Sequence, residues 1–175
     1  MYTGKCPLIF SEKTQKWDEV EFINWFGTNT NKDGYVLKKL IDTMEKTPDF
    51  DVIFSHISDL DSSVHIKSLS SQEAVEAVDR DQMLLTTFLE KIEEQEKKWA
   101  ENGEDVTLII TSDHGLIDSG HGGNSANEKL SFLFAYSSRG FASNKKKSED
   151  PENIFKLKKD LKAFDITEMT SYYMG

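Results

Sequence analysis

The sequence predicts an α/β fold in which a mostly parallel sheet is flanked by helices. Two apolar runs, Val52–Ile57 and Val106–Ile110, are rich in β-branched and large apolar residues, as buried parallel strands are. Between them, Ser70–Gly103 keeps the spacing of a long amphipathic helix. A strand, a helix and a strand in this order are typical of a right-handed βαβ unit with parallel strands. The length of 175 residues suits one domain over residues 1–175.

Composition limits the classes of partner that this chain can bind. The net charge of -10 argues against a general nucleic-acid or anionic-membrane binder, because both require a basic face. An acidic protein that handles a phosphate would do so through metal ions. The single cysteine, Cys6, excludes an internal disulfide and a thiolate zinc cage. No apolar run reaches the ~18 residues of a membrane span and Met1–Lys5 does not open a signal peptide, so we expect a soluble chain.

The segments before the first strand predict two helices. Trp17–Phe26 carries apolar residues on one side and is followed by Gly27, as a short amphipathic helix would be. After the turn-rich residues 28–34, apolar residues recur at helical spacing over Val36–Met44. We expect Asp33 to be the N-cap of this second helix.

The long helix has clear start and stop signals. Ser70–Glu73 offers a capping box, and Gly103 after Asn102 is a typical C-terminal cap. The residues expected to face the core are Ala74, Val75, Val78, Leu85, Phe88, Leu89 and Ile92.

Beyond the second strand, the remaining third of the chain predicts three kinds of segment. Residues 130–136 form a further strand candidate. Residues 137–153 are rich in Ser, Asn, Lys and Glu, and we expect an exposed loop. Residues 154–175 show the spacing of one or two helices.

Carboxylates and imidazoles follow both predicted strands. Asp61 and His65 come after the first strand, four residues apart, and Asp113, His114 and His121 come after the second. Ligands of open α/β sheets bind at the carboxyl ends of the strands, and these side chains suit zinc or manganese. The alternative is a solvated turn after each strand with accidental histidines.

At these residues the sequence resembles the alkaline phosphatase superfamily, and within it the glycosylphosphatidylinositol (GPI) ethanolamine phosphate transferases. Leu60–His65 is similar to the family's Gly-Leu-Asp-x-x-Gly-His, and Ser112–Gly115 matches its Ser-Asp-His-Gly. His121–Glu128 resembles the run His-Gly-Gly-x-Ser-x-x-Glu of members that modify the outer mannoses. A weaker likeness lies in Phe164–Gly175, and the resemblance is convincing over residues 50–141.

The resemblance implies a two-metal site, usually zinc. Asp61, His65 and His121 would hold one ion, and Asp113 with His114 would hold the other. It also implies phosphatidylethanolamine as donor, a mannose of the GPI precursor as acceptor, and a membrane protein whose domain lies in the endoplasmic reticulum lumen.

The chain departs from the family pattern in three places. Nothing in residues 1–50 matches the segment that carries the family's nucleophile. Asp59 and Val64 replace two glycines of the first motif, and the interval Asp113–His121 is one residue shorter than expected. We therefore expect an incomplete alkaline-phosphatase-like domain, the C-terminal part of a transferase domain, that is inactive alone. The alternatives are another superfamily enzyme, such as a phosphodiesterase or sulfatase, and a non-catalytic remnant domain.

Overall fold

A computed structural model of the chain describes residues 4–5, 8–11, 16–19, 22–23, 32–46, 51–140, 161–162, 165–166 and 168–170. Helices and strands are mixed along the chain, as predicted. In chain order the elements are β1 (Gly4–Lys5), β2 (Leu8–Ser11), β3 (Lys16–Glu19), β4 (Phe22–Ile23), α1 (Lys32–Lys46), β5 (Val52–Phe54), α2 (Asp59–Ile66), α3 (Gln72–Glu101), β6 (Thr107–Thr111), α4 (Ala126–Lys129) and β7 (Leu133–Ser137).

The strands that the structure describes pair in antiparallel fashion. β1 pairs with β4, β2 lies between β3 and β5, and β6 pairs with β7. β5 and β6 belong to different sheets, so no parallel pair is present among the described strands. The two apolar runs predicted buried strands, but β5 and β6 are only partly buried and Phe54 is 57% exposed. An apolar run also does not specify which neighbour completes the hydrogen bonds of a strand. The mixed α/β character is therefore confirmed, whereas the parallel βαβ pairing is not seen.

The predicted helix over Trp17–Phe26 is wrong. The structure has two short strands there, β3 at Lys16–Glu19 and β4 at Phe22–Ile23. Ten residues hold fewer than three helical turns, and aromatic and β-branched residues such as those in this segment favour strands equally well.

The core lies between α1 and α3. Side chains from both helices form its centre, and residues of the β5 and β6 segments close it from the side. The central residues are Leu37, Leu40, Met44, Phe88 and Ile92, with Ile53, Ile57, Val106 and Leu108 packed against them. Both predicted strand segments thus contact the same helix pair, which places the residues that follow them in one part of the molecule.

The predicted long helix is confirmed as α3, but its buried side differs in part from the predicted one. Ser71 is its N-cap and accepts a hydrogen bond from the Ala74 amide at 3.2 Å, and Gly103 adopts the positive φ of 76° that a C-terminal cap requires. Val75, which we expected in the core, is 54% exposed, and Val78 and Leu89, also expected there, are exposed as well. Ala74 is buried as expected, and the small residue Ala77 is buried in addition.

The rest of the sequence predictions fall partly outside the described residues. The strand at 130–136 is confirmed as β7, at Leu133–Ser137. The described part does not include residues 141–153 of the predicted loop or most of residues 154–175. Within 154–175, residues 165–166 and 168–170 are described and are helical. No helix in the described part combines the length and the apolar character needed to cross a bilayer.

Candidate metal centre

Helix α2 presents the first two predicted ligands. Asp61 and His65 are four residues apart, so both project from one side of the helix. Val64 is buried, and α2 packs on α3, which fixes the side of α2 that faces away from solvent. The Asp61 Oδ1 atom lies 3.5 Å from the Nε2 atom of His65.

The segment after β6 presents Asp113 and His114. The Nδ1 atom of His114 lies 3.0 Å from the carbonyl oxygen of Gly115, so an Nδ1–H donates there and the Nε2 lone pair faces the site. Gly115 lies against α4, where its amide donates to the Glu128 carbonyl at 3.0 Å. A Cβ at this position would overlap the Asn127 carbonyl oxygen, which explains why only glycine fits.

A tight loop brings in His121. Ile117 and Gly120 exchange two backbone hydrogen bonds of 2.9 Å, and Gly120 adopts a φ of 107°. The Asp118 carboxylate accepts a hydrogen bond from the Ser70 amide at 3.0 Å, which ties the loop to the start of α3. The chain therefore turns back toward α2 just before His121.

Asp61, His65 and His121 converge on one point. The Asp61 Oδ1 atom is 3.3 Å from His121 Nε2 and 3.5 Å from His65 Nε2, and the two Nε2 atoms are 2.9 Å apart. Ligand atoms at ~2.0–2.1 Å from a tetrahedral zinc ion lie about 3.3 Å from one another. These three side chains therefore have the mutual spacing that a shared ion requires.

His114 and Asp113 lie beside this trio. The rings of His114 and His121 stack with centroids 3.6 Å apart, and ligand atoms of Asp61, His114 and His121 lie within 4.8 Å of one another. The Asp113 carboxylate is 76% exposed, with Oδ1 at 3.6 Å from His114 Nε2. Of the five predicted ligands, four thus gather closely, and Asp113 stands at the edge of the cluster.

The polar atoms of the cluster fit a cation. Asp61 Oδ1 is shielded from solvent yet has no hydrogen-bond partner, although the Nε2 atoms of His121 and His65 lie 3.3 and 3.5 Å away. A buried carboxylate oxygen without a donor is destabilising unless a positive charge satisfies it. A donor set of one carboxylate and several imidazoles suits zinc and similar divalent ions.

Glu128 is a residue of the site whose contacts the sequence did not indicate. Its buried carboxylate accepts hydrogen bonds from the Gly123 amide at 2.7 Å, the Ser125 amide at 3.1 Å and the Ser125 hydroxyl at 2.6 Å. These donors, the Ser125 hydroxyl first, hold the pKa of Glu128 below its usual range. The spacing Ser-x-x-Glu at the start of α4 is the capping-box signal that could have revealed it.

Comparisons of the chain with protein-family models, with curated proteins and with solved structures found no match.

Proposed function

We propose that this chain is the metal-holding part of the catalytic domain of a phosphoethanolamine transferase of GPI-anchor biosynthesis. Phosphatidylethanolamine is the proposed donor, a mannose of the GPI precursor the acceptor, and the lumenal side of the endoplasmic reticulum membrane the location. The observation that supports the proposal is the convergence of Asp61, His65 and His121, which come from two segments that each carry a family-like motif.

In this proposal the cluster holds two divalent ions, with zinc as the best match. Asp61, His65 and His121 hold the first, and Asp113 and His114 hold the second. When bound, such ions supply positive charge that stabilises the oxygens of a phosphoryl group in transfer. A chain with a net charge of -10 offers little other means of attracting a phosphate.

The chain's own residues orient the donor atoms. The Gly115 carbonyl holds the His114 ring through Nδ1, and Asp118 and Glu128 hold the two sides of the loop that carries His121. Asp113, which is largely exposed, is placed where it can reach an ion or an incoming ligand from solvent. No residue in 1–50 matches the nucleophile segment, so we propose that this chain alone performs no transfer.

A second candidate is a non-catalytic domain that retains a single ion. The exposure of Asp113 favours it, because a second ion would have only Asp113 and His114 as protein ligands. The two candidates differ in stoichiometry, with two equivalents of zinc bound in the first and one in the second.

Calorimetric titration of the 175-residue chain with Zn²⁺ tests the metal centre. We expect saturable binding that His121→Ala weakens at least ~10-fold, because a tetrahedral ion would lose a ligand. His56→Ala is the matched control, since His56 is the one histidine outside the cluster in this sequence. The absence of saturable binding, or an equal effect of both substitutions, would contradict the proposal.

A transfer assay tests the catalytic part. Vesicles that contain phosphatidylethanolamine are incubated with zinc, the chain and a mannoside acceptor, and transfer of phosphoethanolamine is followed. We expect no turnover from this chain. Turnover that Asp113→Ala abolishes would contradict the proposal that the chain is inactive alone.

A further inference from the structure

Asp33 and Asp59 are buried carboxylates that lie between the first turns of α1 and α2. Only 1% of Asp33 and 7% of Asp59 is exposed. Asp33 accepts hydrogen bonds of 2.8 Å from the amides of Ser58 and Asp59, where α2 begins. Asp59 accepts from the amides of Lys32 and Asp33, at 3.0 and 3.3 Å, where α1 begins. Each carboxylate thus satisfies the free N–H groups at the start of the other helix, and we call this pair the carboxylate clasp.

A third carboxyl group, Asp81 of α3, completes this cluster. Its Oδ1 atom is shielded from solvent without a partner, and its carboxyl group lies beside that of Asp33. Two carboxyl groups can share a hydrogen bond only if one of them carries a proton. Burial raises the pKa of Asp33 as well, but its two amide donors favour its charged form, so we place the shared proton on Asp81.

The charged groups that face Asp81 come from three helices. They are Asp33 of α1, Asp59 of α2 and Arg80 of α3 itself. Burial, followed by the negative charges of Asp33 and Asp59, raises the pKa of Asp81 to about 7, while Arg80 opposes the shift.

We propose that the carboxylate clasp, with a proton on Asp81, positions α2 and therefore the side chains of Asp61 and His65. Asp61 is two residues beyond Asp59, and α2 has only eight residues, so its placement depends strongly on how its first turn is held. Loss of the proton leaves three carboxylates in one partly buried space, and their repulsion, which Arg80 opposes at Asp81, loosens the start of α2. The consequence for metal binding rests on the proposed function, whereas the clasp itself does not.

The sign of the pH effect follows from the proton. In the folded chain Asp81 keeps its proton up to about pH 7. In the unfolded chain the same carboxyl group loses its proton at its ordinary, lower pKa. Between these values the folded state binds more protons, so the stability falls as the pH rises through this interval. Asp81→Asn removes this dependence, because an asparagine amide can donate to Asp33 at any pH.

The test compares the wild-type chain with Asp81→Asn, and uses Asp79→Asn as the control. Asp79 is exposed on the same helix and its replacement changes the net charge equally. The measured quantity is the melting temperature of Asp81→Asn minus that of wild type. We expect this difference to be about 4 °C larger at pH 8 than at pH 5, a typical response for a domain of this size. Amide hydrogen exchange over Asp59–Ile66 at pH 8 should be several-fold faster in wild type than in Asp81→Asn. Asp79→Asn should behave as wild type in both measurements.

Zinc affinity separates this proposal from the proposed function. Both proteins contain the same histidines, so the pH dependence of these ligands cancels when the zinc affinity of Asp81→Asn is divided by that of wild type. We expect this ratio to rise about threefold from pH 6 to pH 8. A melting-temperature difference that does not change with pH would overturn the role of the proton. Unchanged hydrogen exchange in α2 would overturn the positioning role. If neither protein binds zinc but melting and exchange respond as expected, the clasp is supported and the proposed function fails.

Discussion

Asp33 and Asp59 cap each other's helices across 26 residues of sequence. Both carboxylates bind two backbone amides, and both helix N-termini carry the partial positive charge of the helix dipole, so the arrangement is favourable for each. The exchange joins α1, which builds the core, to α2, which carries Asp61.

Asp33→Ala should destabilise the chain strongly. The substitution leaves the buried amide of Asp59 and the partly buried amide of Ser58 without acceptors, and we expect the free energy of unfolding to fall by roughly 2–4 kcal/mol. Urea denaturation followed by circular dichroism measures it. Asp42→Ala, which removes only a surface contact with Lys46 in the same helix, should change stability by less than about 0.5 kcal/mol. Equal effects of the two substitutions would refute the capping role.

Glu128→Gln should weaken zinc binding while the fold persists. A glutamine has one acceptor oxygen where Glu128 uses two, so the amides of Gly123 and Ser125 are no longer both satisfied. Loss of such a supporting contact commonly lowers metal affinity ~10- to 100-fold. Glu104→Gln, an exposed change of the same type, should leave the affinity unaltered.

The loop held by Glu128 should also loosen in acid. Hydrogen bonds hold the pKa of Glu128 in the folded chain below its ordinary value. The charged carboxylate therefore stabilises the folded chain at a pH above the ordinary pKa, and this stabilisation is lost as the pH falls through the lowered pKa. Hydrogen exchange of the amides of Gly123 and Ser125, corrected for the intrinsic pH dependence, should show the loss of protection. Protection that is independent of pH between neutrality and pH 3 would contradict this assignment.

Gly115→Ala should displace α4. The new Cβ would overlap the Asn127 carbonyl oxygen and lie 2.6 Å from that of Leu130, both of which are backbone atoms that cannot rotate away. We expect a loss of stability above about 2 kcal/mol together with weaker zinc binding. Gly103→Ala meets nothing within 4 Å, so it should show only the cost of a positive φ, about 1 kcal/mol. Denaturation curves of both variants would separate overlap from backbone strain.

Two substitutions on α3 test which of its faces is buried. Phe88→Ala removes a side chain from the centre of the core and should cost about 3–5 kcal/mol. Val75→Ala, on the exposed side near the start of the same helix, should change stability by less than about 0.5 kcal/mol. A large effect of Val75→Ala would show that the residue packs against a surface in solution.

Sequence reasoning located the long helix well because its signals are local. The Ser71 cap, the stripe through Phe88 and Ile92, and the glycine at 103 all act within a few residues. It also selected residues that lie together in space, since Asp61 and His121 meet although their segments are far apart in the chain. The inference assumed that both strands lie in one parallel sheet. They belong to different sheets, and the residues meet because both segments leave the same core.

The features that sequence reasoning missed depend on contacts across the molecule. Asp33 was expected to cap its own helix, α1, but it lies inside the first turn and caps α2 instead. Val75 was placed in the core because it is apolar, whereas it is exposed and the small Ala77 is fully buried on α3. Strand partners were misjudged for the same reason, since hydrogen-bond pairing is decided by neighbours that hydrophobicity does not identify.

The two halves of the cluster are separated in the chain by the whole of α3, and this has a thermodynamic consequence. His65 and His121 lie 56 residues apart, so an ion that both hold would close a long loop in the unfolded ensemble. Such a cross-link resembles a removable disulfide bond. The melting temperature of the chain would then report the concentration of free metal around it.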